Sequence, residues 1–278
     1  ADNSIIIIDE KATVKRNDYG GGNFGAPGVS SQNNTSYSKI FIHDGLVEGS
    51  VYGGGNNNGS GSASKTSTIE INMDGGNVLG SIYGGANEEG TIYGSTNVTV
   101  IGGEITNSVY GGGRGGYSNT NNPGTFVRDD ILVTIGSNDS DKVPIINQAV
   151  YGGSAYGSVN GTTQTTNLSS SNTNVIVNKG LITNVFGGGQ GNDTYVPYVE
   201  GDIKVEINGG TITNVYGGND ANGKPNGNIE VYINNGTITN TFGGGHQTSA
   251  NTTNVYLTGG FSDNIYGGSN LTGEVTTS

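Results

Sequence analysis

The sequence has no cysteine and only one methionine among its 278 residues. The absence of cysteine excludes disulfides and thiolate metal sites, and it fits secreted bacterial proteins that avoid thiols. The longest apolar run, Ile5 to Ile8, is far shorter than the roughly 18 residues of a membrane-spanning helix. Since the methionine is Met73, Ala1 is not a start codon. We therefore expect a mature product or a segment of a longer protein, located outside the cell or at a bacterial cell surface.

Positive charge is also scarce. The chain has 11 Lys and Arg residues against 23 Asp and Glu, which gives a net charge of −12 and a pI near 4.4. Such a chain repels phosphate backbones and anionic lipid headgroups, so we expect neither nucleic acid nor direct membrane insertion. Hydrophobic residues make up only 31%, which is close to the disordered class. They recur in register with a repeat, however, and this favours a folded chain.

An aromatic residue followed by two glycines recurs along the whole sequence. The aromatic residues of this motif are Tyr19, Tyr52, Tyr83, Tyr110, Tyr151, Phe186, Tyr216, Phe242 and Tyr266. Their spacing of a few tens of residues is typical of stacked supersecondary units, and the shortest intervals suit one coil of a parallel β-helix. We predict an all-β, right-handed parallel β-helix of eight to nine turns, with the handedness taken from the prevalence of right-handed crossovers. Residues 1–37 would form an N-terminal cap or first turn, and residues 38–278 the solenoid repeats.

The segment 203–218 shows how one turn is built. Val205 and Ile207 alternate with the polar Glu206, which is the period of a strand with one buried face. Paired glycines then provide a tight corner. Two further short strands follow, and the aromatic-Gly-Gly motif closes the last of them.

Equivalent positions in successive turns form columns. One corner carries asparagine in four consecutive turns, at Asn184, Asn214, Asn240 and Asn264. Stacked asparagines predict a hydrogen-bonded amide ladder. In the aromatic column, Phe replaces Tyr at Phe186 and Phe242, so the hydroxyl is dispensable and we predict that the rings are buried.

Differences in turn length are concentrated after the Gly-Gly corner. The inserted segments 55–67, 86–97, 113–130 and 153–174 are rich in Asn, Ser, Thr and Gly, and we interpret them as loops on one face of the solenoid. Two of them carry basic and aromatic residues, which is unusual in an acidic chain. The candidate ligand-binding residues there are Arg114, Tyr117, Phe126, Arg128 and Tyr156. The alternative is that these side chains are solvated decoration.

A second candidate site lies on the outward side of the first strands. Tyr232 and Tyr256 occupy the same position in consecutive turns, so their rings should lie about 4.8 Å apart. Such a pair could stack on a sugar. The alternative is an inert cross-strand pair, or one covered by a loop or a neighbouring domain.

The predicted outward columns do not contain an obvious catalytic site. Glycosidases and lyases on β-helices need carboxylates on neighbouring turns, whereas the two outward columns hold one each, Glu206 and Glu104. His43 and His246 have no partner cysteine and no Ser/Asp arrangement nearby in the sequence. We therefore expect a protein that is not an enzyme and needs no cofactor.

A structural calcium ion is an alternative that the sequence leaves open. Glu88-Glu89 and Asp129-Asp130 are paired acids in the inserted segments, and carboxylates with loop carbonyls are suitable ligands. The calcium-binding glycine-rich nonapeptide, with its fixed aspartate, is absent.

The repeated unit resembles the pectin-lyase-like right-handed parallel β-helices of bacterial surface adhesins and autotransporter passengers, over about residues 38–270. The Gly-Gly-x-Ile elements at 102–105 and 209–212 are similar to the repeats of polymorphic chlamydial surface proteins. The resemblance implies adhesion or stalk duty at a cell surface, with a host or cell-surface protein or glycan as partner. No amphipathic helix follows the last repeat to cap it, so we expect a further domain of the parent protein, or a partner, at that end. The alternative function is a glycan-binding or polysaccharide-degrading β-helix that acts through the loops of turns three and four, at 113–130 and 153–174.

Overall fold

The computed structural model describes residues 3–23, 36–56, 64–66, 68–116, 124–161 and 170–275. Within these ranges the chain forms β-strands joined by turns and has no helix, so no helical segment could cross a membrane. In chain order the strands are β1 (Asn3–Ile8), β2 (Thr13–Val14), β3 (Asp18–Tyr19), β4 (Tyr37–Ile42), β5 (Leu46–Val47), β6 (Val51–Tyr52), β7 (Ser64–Thr66), β8 (Thr68–Met73), β9 (Asn77–Val78), β10 (Ile82–Tyr83), β11 (Asn87–Glu88), β12 (Gly90–Ile92) and β13 (Thr96–Val100). They continue as β14 (Glu104–Ile105), β15 (Val109–Tyr110), β16 (Arg114–Gly115), β17 (Thr125–Val127), β18 (Ile131–Ile135), β19 (Ile145–Tyr151), β20 (Ser158–Val159), β21 (Thr173–Val177), β22 (Leu181–Phe186), β23 (Ile203–Tyr216), β24 (Ile229–Phe242), β25 (Thr253–Leu257) and β26 (Phe261–Tyr266).

The chain is a right-handed parallel β-helix, as predicted. Strands pair in parallel with their equivalents one coil earlier and one coil later, and 20 of them belong to one continuous sheet. We number the coils 1 to 9 by the aromatic residue that closes each, from Tyr19 in coil 1 to Tyr266 in coil 9. Val205, Val231 and Val255 pair in register across coils 7 to 9.

The core lies inside the coils and follows the period-2 pattern of the first strands. Val205 and Ile207 are fully buried, while Glu206 between them faces outward and is half-buried. One hydrophobic cluster includes equivalent Val and Ile residues from nearly every coil. Burial of a continuous apolar column is what stabilises a stack of units that could not fold singly.

The aromatic residues form a single stack along the solenoid. Ring centroids of neighbouring coils are 4.6 to 5.1 Å apart and the rings are nearly parallel, from Tyr19 to Tyr266. The seven rings between these two ends are buried, which confirms the predicted burial. Burial raises the pKa of the Tyr151 hydroxyl.

The predicted amide ladder is also present. The Nδ2 atoms of Asn214, Asn240 and Asn264 each donate to the Oδ1 of the asparagine one coil earlier, over 2.9 to 3.0 Å. A second ladder, which the sequence analysis missed, joins Asn178, Asn208 and Asn234 over 2.9 to 3.1 Å.

Coils 7 and 8 each contain one long strand where the sequence predicted three short ones. β23 and β24 each run for 14 residues, because the parallel backbone pairing between coils continues through both corners. The first corner appears as a register shift around Asn208. Gly210, at φ +96°, supplies the left-handed conformation that this bend needs.

The inserted segments are not simply loops, so that prediction was wrong. β7, β12, β17 and β20 pair in parallel and give coils 3 to 6 a fourth side. Ile92, Val127 and Val159 point from this sheet into the core. Each of these strands is only two or three residues long and lies among Gly, Ser and Thr, so the apolar alternation is too short to recognise.

Candidate functional site

Two side-chain columns cover the outward face of the first strands in coils 6 to 9. The first column carries Asn174, Lys204 and Glu230 in register. Two residues later, Glu206, Tyr232 and Tyr256 pair in the same way in coils 7 to 9. Because alternate residues of a strand share a face, both columns lie on the outer side of the sheet.

Lys204 is held in place by its neighbours. Its Nζ lies 2.8 Å from Glu206 Oε2 and 5.1 Å from the centre of the Tyr232 ring. The hydrogen bond with Glu206 raises the pKa of Lys204, and the same contact lowers the pKa of Glu206. Tyr232 donates its hydroxyl proton to Glu230 Oε2 at 3.1 Å. These contacts link neighbouring coils into one polar surface.

Tyr232 and Tyr256 are paired at the predicted spacing. Their ring centroids are 4.6 Å apart with an angle of 15° between the planes. Lys204 lies over Tyr232 and Tyr232 stacks on Tyr256, so the Tyr256 face turned away from Tyr232 is the one with no ring or cation contact among the described residues. Tyr256 is 40% exposed. The role of this pair in sugar binding stays a prediction.

A surface groove of about 270 Å³ adjoins these columns where the first strands begin. It is lined by Asn172, Asn174, Asp202, Ile203, Lys204, Asn228 and Glu230. The strand starts are fixed by aspartates, since Asp202 Oδ1 accepts a 2.7 Å hydrogen bond from the Asn228 amide nitrogen. The groove therefore presents amides, carboxylates and an ammonium group in rows that repeat from coil to coil.

The candidate residues of the inserted segments lie elsewhere, in coils 5 and 6. Arg114 donates from Nη1 to Asn87 Oδ1 at 3.2 Å and so caps a short amide ladder. The Arg128 guanidinium lies 4.4 Å from the centre of the Tyr93 ring. Both arginines are thus engaged within the molecule and half-buried.

The aromatic candidates of these segments are separated from one another. Phe126 lies on β17 with its side chain half-buried. The Tyr156 ring packs against Tyr195 at 5.6 Å between centroids. Tyr117 lies outside the described residues. No described contact joins these side chains to Tyr232 or Tyr256, so the two predicted sites are distinct and the binding role of each stays a prediction.

Both histidines have an aspartate partner, which the sequence analysis did not identify. His43 Nδ1 lies 3.0 Å from Asp74 Oδ2, and His246 Nδ1 lies 2.9 Å from Asp220 Oδ1. Asp220 also accepts the Tyr151 hydroxyl at 3.0 Å. Each partner lies one coil away from its histidine, which the linear sequence does not show. The carboxylate orients the imidazole, a role that suits structure as well as acid–base chemistry.

The paired acids flagged for calcium differ in their contacts, and their role in calcium binding stays a prediction. Asp129 Oδ1 accepts from Ser171 Oγ and Asp130 Oδ1 from the Asn172 amide nitrogen, at 2.9 and 2.8 Å. Burial raises the pKa of Glu88. In the described part of the chain, no group of three His, Cys, Asp or Glu side chains is close enough to hold a metal ion.

Comparison with known proteins adds no family to this description. No family model, no curated protein and no solved structure matches the chain. The parallel β-solenoid and its side chains are therefore the basis for the function proposed below.

Proposed function

We propose that the chain is a non-catalytic β-solenoid module of a secreted or cell-surface bacterial protein, and that it binds a linear glycan on the outward face of coils 6 to 9. The observation that carries this proposal is the groove beside the Tyr232–Tyr256 pair. Amides, carboxylates and an ammonium group suit the hydroxyls of a sugar, and an exposed aromatic side chain suits its C–H faces. The resemblance to surface adhesins supports the same assignment.

The spacing of the columns favours a polymer over a single sugar. Neighbouring strands lie about 4.8 Å apart, which is close to the length of one sugar unit in an extended chain. A glycan aligned with the solenoid axis would therefore meet an equivalent side chain once per residue, from Asn174 through Lys204 to Glu230. Many weak contacts in register would give affinity that a monosaccharide cannot match.

The charge of the groove favours an uncharged or amino-sugar polymer. Lys204 is neutralised by Glu206, whereas Asp202 and Glu230 have no ion-pair partner among the described residues. A polyuronate would bring further negative charge to this surface and be repelled.

A glycan array tests the proposal. We expect the purified protein to retain neutral or amino-sugar polymers, and the Tyr256→Ala and Asn174→Ala variants to lose most of this binding. Phe41→Ala is the matched control, because Phe41 lies in the same outward column as Tyr256 but in coil 2. Equal loss in the control would indicate a general structural effect.

The array also distinguishes the groove from the second candidate site, in the inserted segments. If binding survives Tyr256→Ala but is lost on changing Arg128, Phe126 or Tyr156 to Ala, the site lies in the inserted segments. Release of unsaturated or reducing-end products from any bound polysaccharide would contradict the non-catalytic assignment.

A structural stalk is the second candidate function. The uninterrupted aromatic stack favours it, because a continuous core resists bending along the axis. A protein that retains no glycan on the array and shows the rod-like small-angle scattering of the full solenoid would fit this role.

A further inference from the structure

Glu200 is a buried carboxylate with an unsatisfied oxygen. It lies just before β23, and its side chain is fully buried. Its Oε2 accepts a 2.7 Å hydrogen bond from Asn226 Nδ2, whereas its Oε1 has no hydrogen-bond partner. No Lys, Arg or His among the described residues forms an ion pair with it. A buried, ionised carboxylate is costly without a compensating positive charge.

Glu200 borders a second groove, of about 540 Å³. The groove is lined by Ser170, Asn172, Glu200, Gly201, Asp202, Asn226, Gly227, Asn228, Asn251 and Thr252. These residues come from the segments that lead into the first strands of coils 6 to 9. No lysine or arginine lies among them, so the groove has oxygen-bearing side chains and an acidic charge.

Several further oxygens of this groove are free to act as ligands. Asp202 uses only Oδ1, which accepts from the Asn228 amide nitrogen. Asn226 and Asn251 use their side-chain nitrogens, as donors to Glu200 and to the Asn226 carbonyl. Asp202 Oδ2 and the Oδ1 atoms of Asn226 and Asn251 accept no hydrogen bond from any described residue.

We propose that this groove binds one Ca²⁺ ion, with Glu200 as the buried anionic ligand and Asp202, Asn226 and Asn251 as further oxygen donors. Calcium accepts six to eight oxygen ligands in flexible geometry, and carboxylates, amide oxygens and waters are its usual set. Magnesium requires a stricter octahedron and keeps its waters, so it suits such an irregular set less well. Two protein carboxylates and exposed amides predict a Kd of about 10⁻⁴ to 10⁻³ M, the range of extracellular modules.

The bound ion would tie consecutive coils together. Glu200 belongs to the segment entering coil 7, Asn226 to the segment entering coil 8, and Asn251 to the segment entering coil 9. Calcium should therefore raise the melting temperature of the protein, because it binds the folded chain and its ligands are dispersed when the chain unfolds.

Calorimetric titration with CaCl₂ and thermal unfolding in CaCl₂ or EDTA test the site without any glycan. We expect wild type to bind one Ca²⁺ and to melt at higher temperature in CaCl₂ than in EDTA, with a much smaller change in MgCl₂. Glu200→Gln should weaken calcium binding at least about tenfold, because a charged ligand is lost. In EDTA the same variant should melt at a higher temperature than wild type, because the uncompensated buried charge is gone.

Glu104→Gln is the matched control, since Glu104 is exposed on the second strand of coil 4. It should bind calcium as wild type does. Asn251→Ala is a second variant that leaves Glu200 intact and should weaken binding. No calcium binding by wild type at millimolar concentration, or unchanged binding by Glu200→Gln, would overturn the proposal, whatever the glycan array shows.

Discussion

At the scale of single residues, Asp18 is an acidic side chain at a position that is apolar in the next coils. In register it is equivalent to Val51 and Ile82, which are fully buried in the core of coils 2 and 3. Asp18 is itself only 7% exposed, and its Oδ2 has no hydrogen-bond partner. Burial raises the pKa of this carboxyl from 3.8 to about 6. Between about pH 4 and about pH 6, the native state therefore holds a proton that the unfolded chain has already released.

This shift predicts that the free energy of unfolding falls as pH rises from about 4 to about 6. The native state binds more protons than the unfolded state in that window, so the contribution is complete at low pH and lost above the native pKa. The loss amounts to roughly 3 kcal/mol. Asp18→Asn should flatten this dependence and be the more stable protein at pH 7, as measured by urea unfolding at pH 4 and pH 7. Asp139→Asn, on an exposed turn, should leave the wild-type difference unchanged.

Glycines after the aromatic residues determine how closely the coils approach. A Cβ on Gly111 would collide with the carbonyl oxygen of Gly152 in the next coil and with a methyl group of Ile131. The equivalent Gly267, after Tyr266, has no atom within 4 Å of the same Cβ position. Neither residue has a positive φ. Comparing alanine at the two positions therefore measures the effect of the contact between coils, without a contribution from backbone strain.

We expect Gly111→Ala to lower the free energy of unfolding by about 3 kcal/mol, the upper range for overpacking. Gly267→Ala should be neutral or stabilising by about 0.5 kcal/mol, through the reduced freedom of the unfolded chain. Chemical denaturation of both variants measures the difference. Similar losses in the two would show that coil spacing is not what requires glycine here.

At the scale of elements, the amide ladder couples coils that are otherwise joined by backbone hydrogen bonds. Asn214 both donates to Asn184 and accepts from Asn240, whereas Asn264 only donates, to Asn240. Asn214→Ala therefore leaves partners unsatisfied on both sides.

The expected destabilisation is about 2 kcal/mol for Asn214→Ala and less than about 1 kcal/mol for Asn264→Ala. Thermal unfolding of the two variants gives the comparison. An equal cost would mean that water satisfies the partners of Asn214 as well as asparagine does.

Much of the strand register could be predicted from sequence, because the pattern is local. The alternation of Val205, Glu206 and Ile207 predicts which side chains of the strand face the core. The glycine corner shows where the next strand begins, and so which of its side chains face the core. The outward column that places Tyr232 over Tyr256 follows from these two rules. Sequence reasoning succeeds where period and corner both repeat.

Sequence reasoning fails where an insertion changes the number of residues between equivalent positions of neighbouring coils. In coil 5 a bulge after Ile146 shifts the register, and Gln148 takes the ladder position, where its Nε2 donates to Asn107. The His246–Asp220 pair was missed for a related reason. His246 lies four positions after Phe242, and Asp220 lies four positions after Tyr216. This equivalence is visible only if the positions of each coil are counted from the preceding aromatic residue. The unpartnered oxygen of Glu200 depends on packing between coils and has no signal in the sequence.

At the scale of the whole molecule, the aromatic stack has an optical consequence. Five tyrosines, from Tyr19 to Tyr151, lie ring upon ring without interruption, and the chain has no tryptophan to collect their excitation. Light absorbed by one of these phenols should pass among its neighbours before emission, and because the rings are nearly parallel, the emitting ring should keep nearly the orientation of the absorbing one. Ultraviolet fluorescence from this stack should therefore stay polarised in the folded protein, and unfolding should lower the polarisation as the rings lose their alignment and rotate more freely.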